Sequence, residues 1–309
     1  MSKLLVVFGA TGNQGGSVIN SVINDATLRD EYKIRAVTRD TSTPAAQHLQ
    51  QKPVEVVKGD ADNTSSVEKV LQDAHTVFFL TTTIYDDKLE ERELSQGRRI
   101  ADAAVKVGAK YLIFSTLPSI NDNSGGKYNK GGHFDCKAKV EEYIRTLPIK
   151  SAFFAPGSFM QNFATNMRPN GTDDGTYVLA TVASPATKLP LIDITDTGKY
   201  VSAILADPDT FEGQVLCAAT KLYTMEEIVG IISESTGKTV AYRQLPEDVF
   251  RKFLPPSMGD YLVHMLLYIQ DFGYYGEGTE EKVAWAAGKA RGKLHRLEDY
   301  LAGNPLDLN

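Results

Sequence analysis

The sequence predicts an α/β chain: a doubly wound parallel sheet followed by a smaller C-terminal α/β lobe. Three observations carry this reading. A strand-like apolar run, Leu4-Leu5-Val6-Val7-Phe8, enters a glycine-rich turn, Gly9-Ala10-Thr11-Gly12-Asn13-Gln14-Gly15-Gly16, and a helical pattern follows. Nearly continuous apolar strands then alternate with helices through the first half, as expected of parallel strands covered on both faces. The alternation stops near Pro156, where Gly, Pro, Asn and Asp cluster as far as Gly175.

Taken in order, the strands read as Leu4–Phe8, Ile34–Thr38, Val54–Val57, Thr76–Leu80, Tyr111–Ser115 and Ser151–Phe154. Helical patterns lie between them at Gln14–Asn24, Thr43–Gln50, Ser65–Gln72, Leu89–Val107 and Lys137–Arg145. Ser65 and Glu68 offer a capping box for the third helix, and Gly108 a C-cap for the fourth. Beyond residue 156 come strands at Leu191–Ile194, Val215–Ala218 and Val240–Arg243. Helices follow the same stretch at Met225–Thr236, Glu247–Phe253 and Met258–Phe272. The boundaries that result are 1–156 for a Rossmann-type domain and 157–309 for a smaller lobe closing over the nucleotide crevice. Some C-terminal segments are expected to return to the main sheet.

Composition narrows the class. With 309 residues and 42% hydrophobic content the chain can bury a large core. Lys and Arg number 33 against 39 Asp and Glu, a net charge of −6 that disfavours a broad nucleic-acid surface. Two cysteines, Cys136 and Cys217, imply no disulfide framework and fit a reducing compartment. No apolar run reaches membrane-spanning length. The expectation is a soluble protein of the cytoplasm, with the nucleus open to it, without direct nucleic-acid or membrane contact.

The glycine turn between a strand and a helix is the setting for dinucleotide binding. Missing Cβ atoms let a pyrophosphate approach, and the helix aims its free N–H groups at the phosphate. The residue after the second strand selects the dinucleotide. Arg39 stands there, and its planar guanidinium suits the 2′-phosphate of NADP. Asp40 follows directly and keeps NAD open, since a carboxylate could take the ribose hydroxyls instead. Asp62 could accept from the adenine amino group, while Asp60 could cap the turn. Thr81-Thr82-Thr83 either lines the cofactor ribose or caps its strand.

Short-chain dehydrogenases pair a serine with a tyrosine and a lysine four residues apart, which places the last two on one helix face. Ser115 ends the fifth strand and Lys137 lies on a helix, yet four residues before Lys137 stands His133. The lysine half of the device is present and the phenol is missing. Histidine can do acid-base work near neutral pH, or it can simply fill space or bond the cofactor in a protein without turnover. Cys136 beside Lys137 reads as a buried, inert thiol, and the remaining histidines lack metal-ligand spacing.

These strings resemble the NmrA-like family of atypical short-chain dehydrogenases. The resemblance runs through Val6–Val18, Val37-Thr38-Arg39-Asp40, Val56–Asp62, His133-Phe134-Asp135-Cys136-Lys137 and Pro156–Asn162. The His-Phe-Asp-x-Lys string is the most specific part, because it separates this group from relatives with Tyr-x-x-x-Lys. The resemblance implies a Rossmann fold, NAD(P) binding and frequent loss of turnover. It places Gly9, Thr11, Gly12, Asn13, Gln14 and Gly15 at the pyrophosphate, Arg39 at the 2′-phosphate and Asp62 at the adenine. Thr81 and Lys137 would lie near the nicotinamide ribose, and Phe154, Pro156 and Phe159 near the nicotinamide. Some members sense the redox state and bind a transcription factor or a biosynthetic enzyme, whereas neighbouring branches are true reductases. The favoured expectation is a redox-sensing NADP(H)-binding regulator. The alternative is an NADPH-dependent reductase of a carbonyl, imine or quinone, using Lys137 and His133.

Overall fold

The computed structural model describes residues 2–308. Its first half runs β1 (Lys3–Val7), α1 (Asn13–Asn24), α2 (Ala26–Glu31), β2 (Tyr32–Thr38), α3 (Pro44–Gln50), β3 (Glu55–Lys58) and α4 (Thr64–Val70). It continues through β4 (Thr76–Phe79), α5 (Leu89–Lys106), β5 (Tyr111–Ser115), α6 (Ile120–Asn123), α7 (His133–Arg145) and β6 (Lys150–Pro156). The second half holds β7 (Ser158–Phe159), β8 (Asn170–Gly171), β9 (Tyr177–Thr181), β10 (Lys188–Ile192), α8 (Thr197–Ala206), β11 (Val215–Ala218) and β12 (Lys221–Thr224). Then come α9 (Met225–Thr236), β13 (Val240–Gln244), α10 (Glu247–Arg251), α11 (Gly259–Phe272), α12 (Thr279–Lys289) and α13 (Leu297–Gly303).

The main sheet has seven strands in the order β11-β6-β5-β4-β1-β2-β3, and every pairing is parallel. The side-chain alternation of β1 divides it between two cores. Leu5 and Val7 pack with Val18, Val22, Tyr200 and Ile204 of α1 and α8, while Val6 packs with Val67, Ile100 and Val140 on the other side. Helices thus cover both faces, which accounts for the burial of every residue of β4, β5 and β6 except Lys150. The switch point, where strand order reverses, falls between β1 and β4, so the carboxyl ends of these strands form the crevice.

The seventh strand comes from beyond residue 156: β11 pairs with β6 through Phe153↔Val215 to Pro156↔Ala218. Helix α8 likewise packs on α1, and the Ser21 and Ser202 hydroxyls lie 2.8 Å apart. The rest of the second half forms two three-stranded sheets, β12-β10-β7 and β13-β9-β8, with α9 to α13 around a separate core that includes Tyr223, Ile228, Val263 and Tyr268. Two buried tyrosines tie this lobe to the end of β6. Tyr275 donates to the Ala155 carbonyl at 2.8 Å and Tyr274 to the Pro156 carbonyl at 3.2 Å.

Local signals explain most boundaries and correct one. Helix α4 is capped by Asn63, whose side chain accepts from Ser66 N–H at 2.9 Å, so the expected Ser65–Glu68 box is not the device used. Ser66 instead accepts from Asp60 N–H. Helix α7 begins at His133, four residues before the expected start. It is preceded by Gly132 at φ 53° and held by Asp135, which accepts from the backbone N–H groups of Ile120, Asn121 and Gly131. That network gives the aspartate of the His-Phe-Asp-x-Lys string an anchoring role.

Candidate functional site

The crevice opens on the glycine turn. Gly9 adopts φ +65°, a left-handed backbone, and a Cβ at Gly15 would lie 2.4 Å from the Gly9 carbonyl oxygen. Gly15 is therefore required for the turn to close against the helix. Gly12 has an ordinary extended backbone and caps α1 without any side-chain hydrogen bond; the first turn holds no acidic residue. Gly9, Thr11, Gly12 and Gln14 line the crevice, and Gln14 accepts from the Ser115 hydroxyl at 2.8 Å. Asn13 is exposed at the start of α1, and Gly15 is buried behind the turn.

At the far end of β2, Arg39 is exposed and lines the crevice. Asp40 turns away to accept from the Ser42 N–H and hydroxyl, which lowers its carboxyl below the ordinary range. The two side chains do not pair. Asp60 caps the turn by accepting from Asp62 N–H, and Asp62 accepts from Gln96 Nε2 at 2.9 Å. Gln96 also accepts from Thr82 N–H at 2.9 Å and thereby bridges the ends of β3 and β4.

A charged pair missed in the sequence lies beneath the centre of the crevice. Glu93 of α5 is fully buried, and Lys137 Nζ of α7 lies 2.6 Å from its carboxylate. The Thr81 and Thr83 hydroxyls donate to the same carboxylate, and Lys137 also reaches Thr83 Oγ1 at 2.8 Å. Burial outweighs the pull of Glu93 and lowers the Lys137 pKa from its ordinary value. The Thr81 hydroxyl is thus committed to Glu93. A signal for Glu93 existed: it falls on the stripe Leu89, Glu93, Gly97, Ile100, Ala104, the buried face of α5.

His133 and Lys137 sit one turn apart on α7, and both line the crevice. His133 Nδ1 lies 2.8 Å from the hydroxyl of Tyr85, in the segment after β4. Burial and the Lys137 charge push the His133 pKa down to about 3, so its ring is neutral at pH 7. Cys136 is buried, and its thiol is pushed up to about 12 by that burial. Pro156 and Phe159 line the crevice, whereas Phe154 turns into the core against Tyr200, with ring centroids 6.0 Å apart. Phe154 is therefore not a crevice residue. It lies two residues before the end of β6, inside the sheet and packed under α8 in the core with Ala152 and Tyr200, whereas Pro156 stands at the strand's carboxyl end where the crevice opens.

Past Lys137 the crevice widens into an apolar chamber roofed by the second lobe. Met167, Leu179, Leu245, Phe250, Leu254, Met258, Met265 and Leu266 face it. The whole cavity has a volume of about 1380 Å³. Away from it, His295 meets Asp193 and Asp196, a grouping its sequence spacing did not suggest. Lys199 Nζ lies 2.6 Å from the Asp196 carboxylate, so a cation is already built into that cluster.

The NmrA-like family profile matches residues 1–301. An NmrA-like family domain-containing protein of Dictyostelium discoideum is 32% identical over 315 residues, covering 97% of both chains. The NmrA-like family domain-containing oxidoreductase FrzB of Cladobotryum sp is 29% identical over 262 residues, covering 78% of this chain and 76% of its own. The crystal structure of NmrA, a negative transcriptional regulator, in complex with NADP superposes with a TM-score of 0.79 at 23% identity over 99% of each chain. The Escherichia coli NADPH-dependent quinone oxidoreductase QOR2 superposes with a TM-score of 0.76 at 18% identity, covering 97% and 99%. Among the described residues, no helix is long and apolar enough to cross a membrane. The chain belongs to the NmrA-like family.

Proposed function

We propose that this protein binds NADP(H) along the crevice and reduces a bulky, apolar ketone, imine or quinone in the adjoining chamber. The observation that carries this reading is the chamber itself. Single-ligand sites run to about 300–1,000 Å³, and a cavity of about 1380 Å³ leaves room for a second molecule beside a dinucleotide. Most of its lining is aliphatic, aromatic or thioether, interrupted by Asn166, Arg168, Asn170 and Arg243, which suits a largely hydrophobic substrate.

The residues fit the dinucleotide. Helix α1 presents an uncapped N-terminus, Gly12 leaves space in front of it, and Arg39 is free of Asp40 to receive a 2′-phosphate. The related chains named oxidoreductases, and the fold shared with complexes of NADP and NADPH, support the same assignment. NAD stays within reach because the NmrA fold is also known in complex with NAD.

When bound, the nicotinamide supplies a hydride. Lys137 is fixed by Glu93 and Thr83, so its remaining donor capacity can hold the nicotinamide ribose. The second lobe covers one side of the crevice beside the Lys137 end. The regulator reading keeps one supporting observation, the absence of a tyrosine four residues before Lys137. A partner such as a transcription factor or a biosynthetic enzyme belongs to that reading, with no turnover required of the protein. The two separate in one assay: NADPH consumption with benzophenone and fluorenone as bulky apolar ketones, alongside calorimetric NADPH binding. Binding with steady ketone-dependent oxidation supports the reductase, and binding without oxidation of either ketone supports the regulator.

A further inference from the structure

We propose that Tyr85 is the proton donor of this site and that His133 positions it; the assignment rests on the reductase reading. The phenol absent from α7 is supplied by the segment that leaves the carboxyl end of β4. Its hydroxyl lies 2.8 Å from Nδ1 of His133, the residue one helical turn before Lys137. Tyr85, His133, Thr83 and Lys137 all line the crevice where it passes into the apolar chamber. The Tyr85 ring is held edge-on to His133, with centroids 5.6 Å apart, and lies 5.9 Å from Tyr261 of α11.

The chemistry divides between the two side chains. Burial and the negative charge of Glu93 raise the Tyr85 pKa well above its ordinary value, so the phenol keeps its proton. Cys136 and Tyr261 also face it and push the same way. His133 is neutral, and its Nδ1 is committed to Tyr85, which makes it an orienting group rather than the acid. In ketone reduction, the carbonyl carbon would gain its new C–H bond from the hydride that a bound reduced nicotinamide supplies. The C=O π pair moves onto oxygen, and that oxygen takes the Tyr85 proton as the phenolic O–H bond breaks. Water reaching the crevice after product release returns the proton to the phenolate while His133 keeps the hydroxyl in place, so the net proton comes from solvent.

The test compares wild type with Tyr85→Phe, His133→Ala and His133→Asn, each carrying NADPH, with fluorenone as substrate. Tyr85→Phe keeps the ring and its packing, so circular dichroism and NADPH affinity should match wild type. Its kcat should fall about 10²–10⁴-fold, the usual worth of a general acid. Fluorenone affinity for the protein loaded with oxidised NADP should weaken about twofold to tenfold through the lost hydrogen bond. His133→Ala should lower kcat by leaving the Tyr85 hydroxyl unheld, at unchanged NADPH affinity, and His133→Asn, which restores a polar partner for the hydroxyl, should recover part of the loss. Wild-type turnover retained by Tyr85→Phe would overturn the assignment and leave the reductase reading standing. NADPH binding with no turnover of fluorenone by wild type would remove both together.

Discussion

Arg39 lines the crevice and, among the described residues, has no acidic partner, because the Asp40 carboxylate accepts from Ser42. A charged hydrogen bond of this kind is worth about 1.5–3 kcal/mol, or roughly tenfold to a hundredfold in affinity. Arg39→Ala should weaken NADP binding by that factor and leave NAD binding nearly unchanged in calorimetry. Equal weakening of both would remove Arg39 as the discriminator. Glu93 and Lys137 form a buried ion pair in which removing one partner strands the other. Glu93→Ala should lose about 3–5 kcal/mol of unfolding free energy in urea titration. The Glu93→Leu, Lys137→Met double variant should lose much less, since neither charge is then left alone. His133 has a native pKa depressed to about 3 from 6.5, so the unfolded chain binds the proton more readily in between. Stability present above pH 6.5 is therefore lost as pH falls towards 3, and His133→Gln should flatten that loss in a pH series of thermal melts.

At the scale of elements, the glycine turn separates two roles. Gly12 has ordinary backbone angles, and its missing Cβ leaves the nearest atom, Gly9 O, 3.2 Å away. Gly12→Val should therefore fold while abolishing NADP binding, because the side chain occupies the phosphate approach. Gly15→Val should instead lower the melting temperature, since its Cβ would meet backbone at 2.4 Å. A folded Gly12→Val protein with normal cofactor binding would remove the phosphate-cradle reading. The turn, the parallel strands and the Lys137 helix are legible in sequence because each rests on local periodicity or a short string. Glu93 was hidden because a glutamate in a helix ordinarily faces water, and only its place on the stripe with Leu89 and Gly97 marks it as buried. Tyr85 has no periodicity around it at all. It joins His133 across 48 positions of sequence through the packing of β4 against β5 and the landing of α7. Phe154 is covered because it lies within β6 beneath α8, while only the carboxyl end of that strand, at Pro156, reaches the crevice.

For the whole molecule, the second lobe roofs the nucleotide crevice, and residues of both halves line one continuous cavity. The chain crosses between them repeatedly: β11 and α8 belong to the main sheet and its cover, while β9, β13, α10 and α11 carry the roof. Tyr274 and Tyr275 fasten the roof to the end of β6, so cofactor end and chamber are held in register. The central claim is that this chamber receives the reducible substrate. Met265 of α11 lines it, half-buried and away from the glycine turn. The direct measurement is fluorenone-dependent NADPH oxidation by wild type and Met265→Trp, with NADPH affinity followed in parallel. The account predicts wild-type turnover that Met265→Trp suppresses through a raised KM, at unchanged NADPH affinity. Ketone turnover indifferent to the filled chamber, or NADPH binding without ketone-dependent oxidation in the wild type, would contradict it.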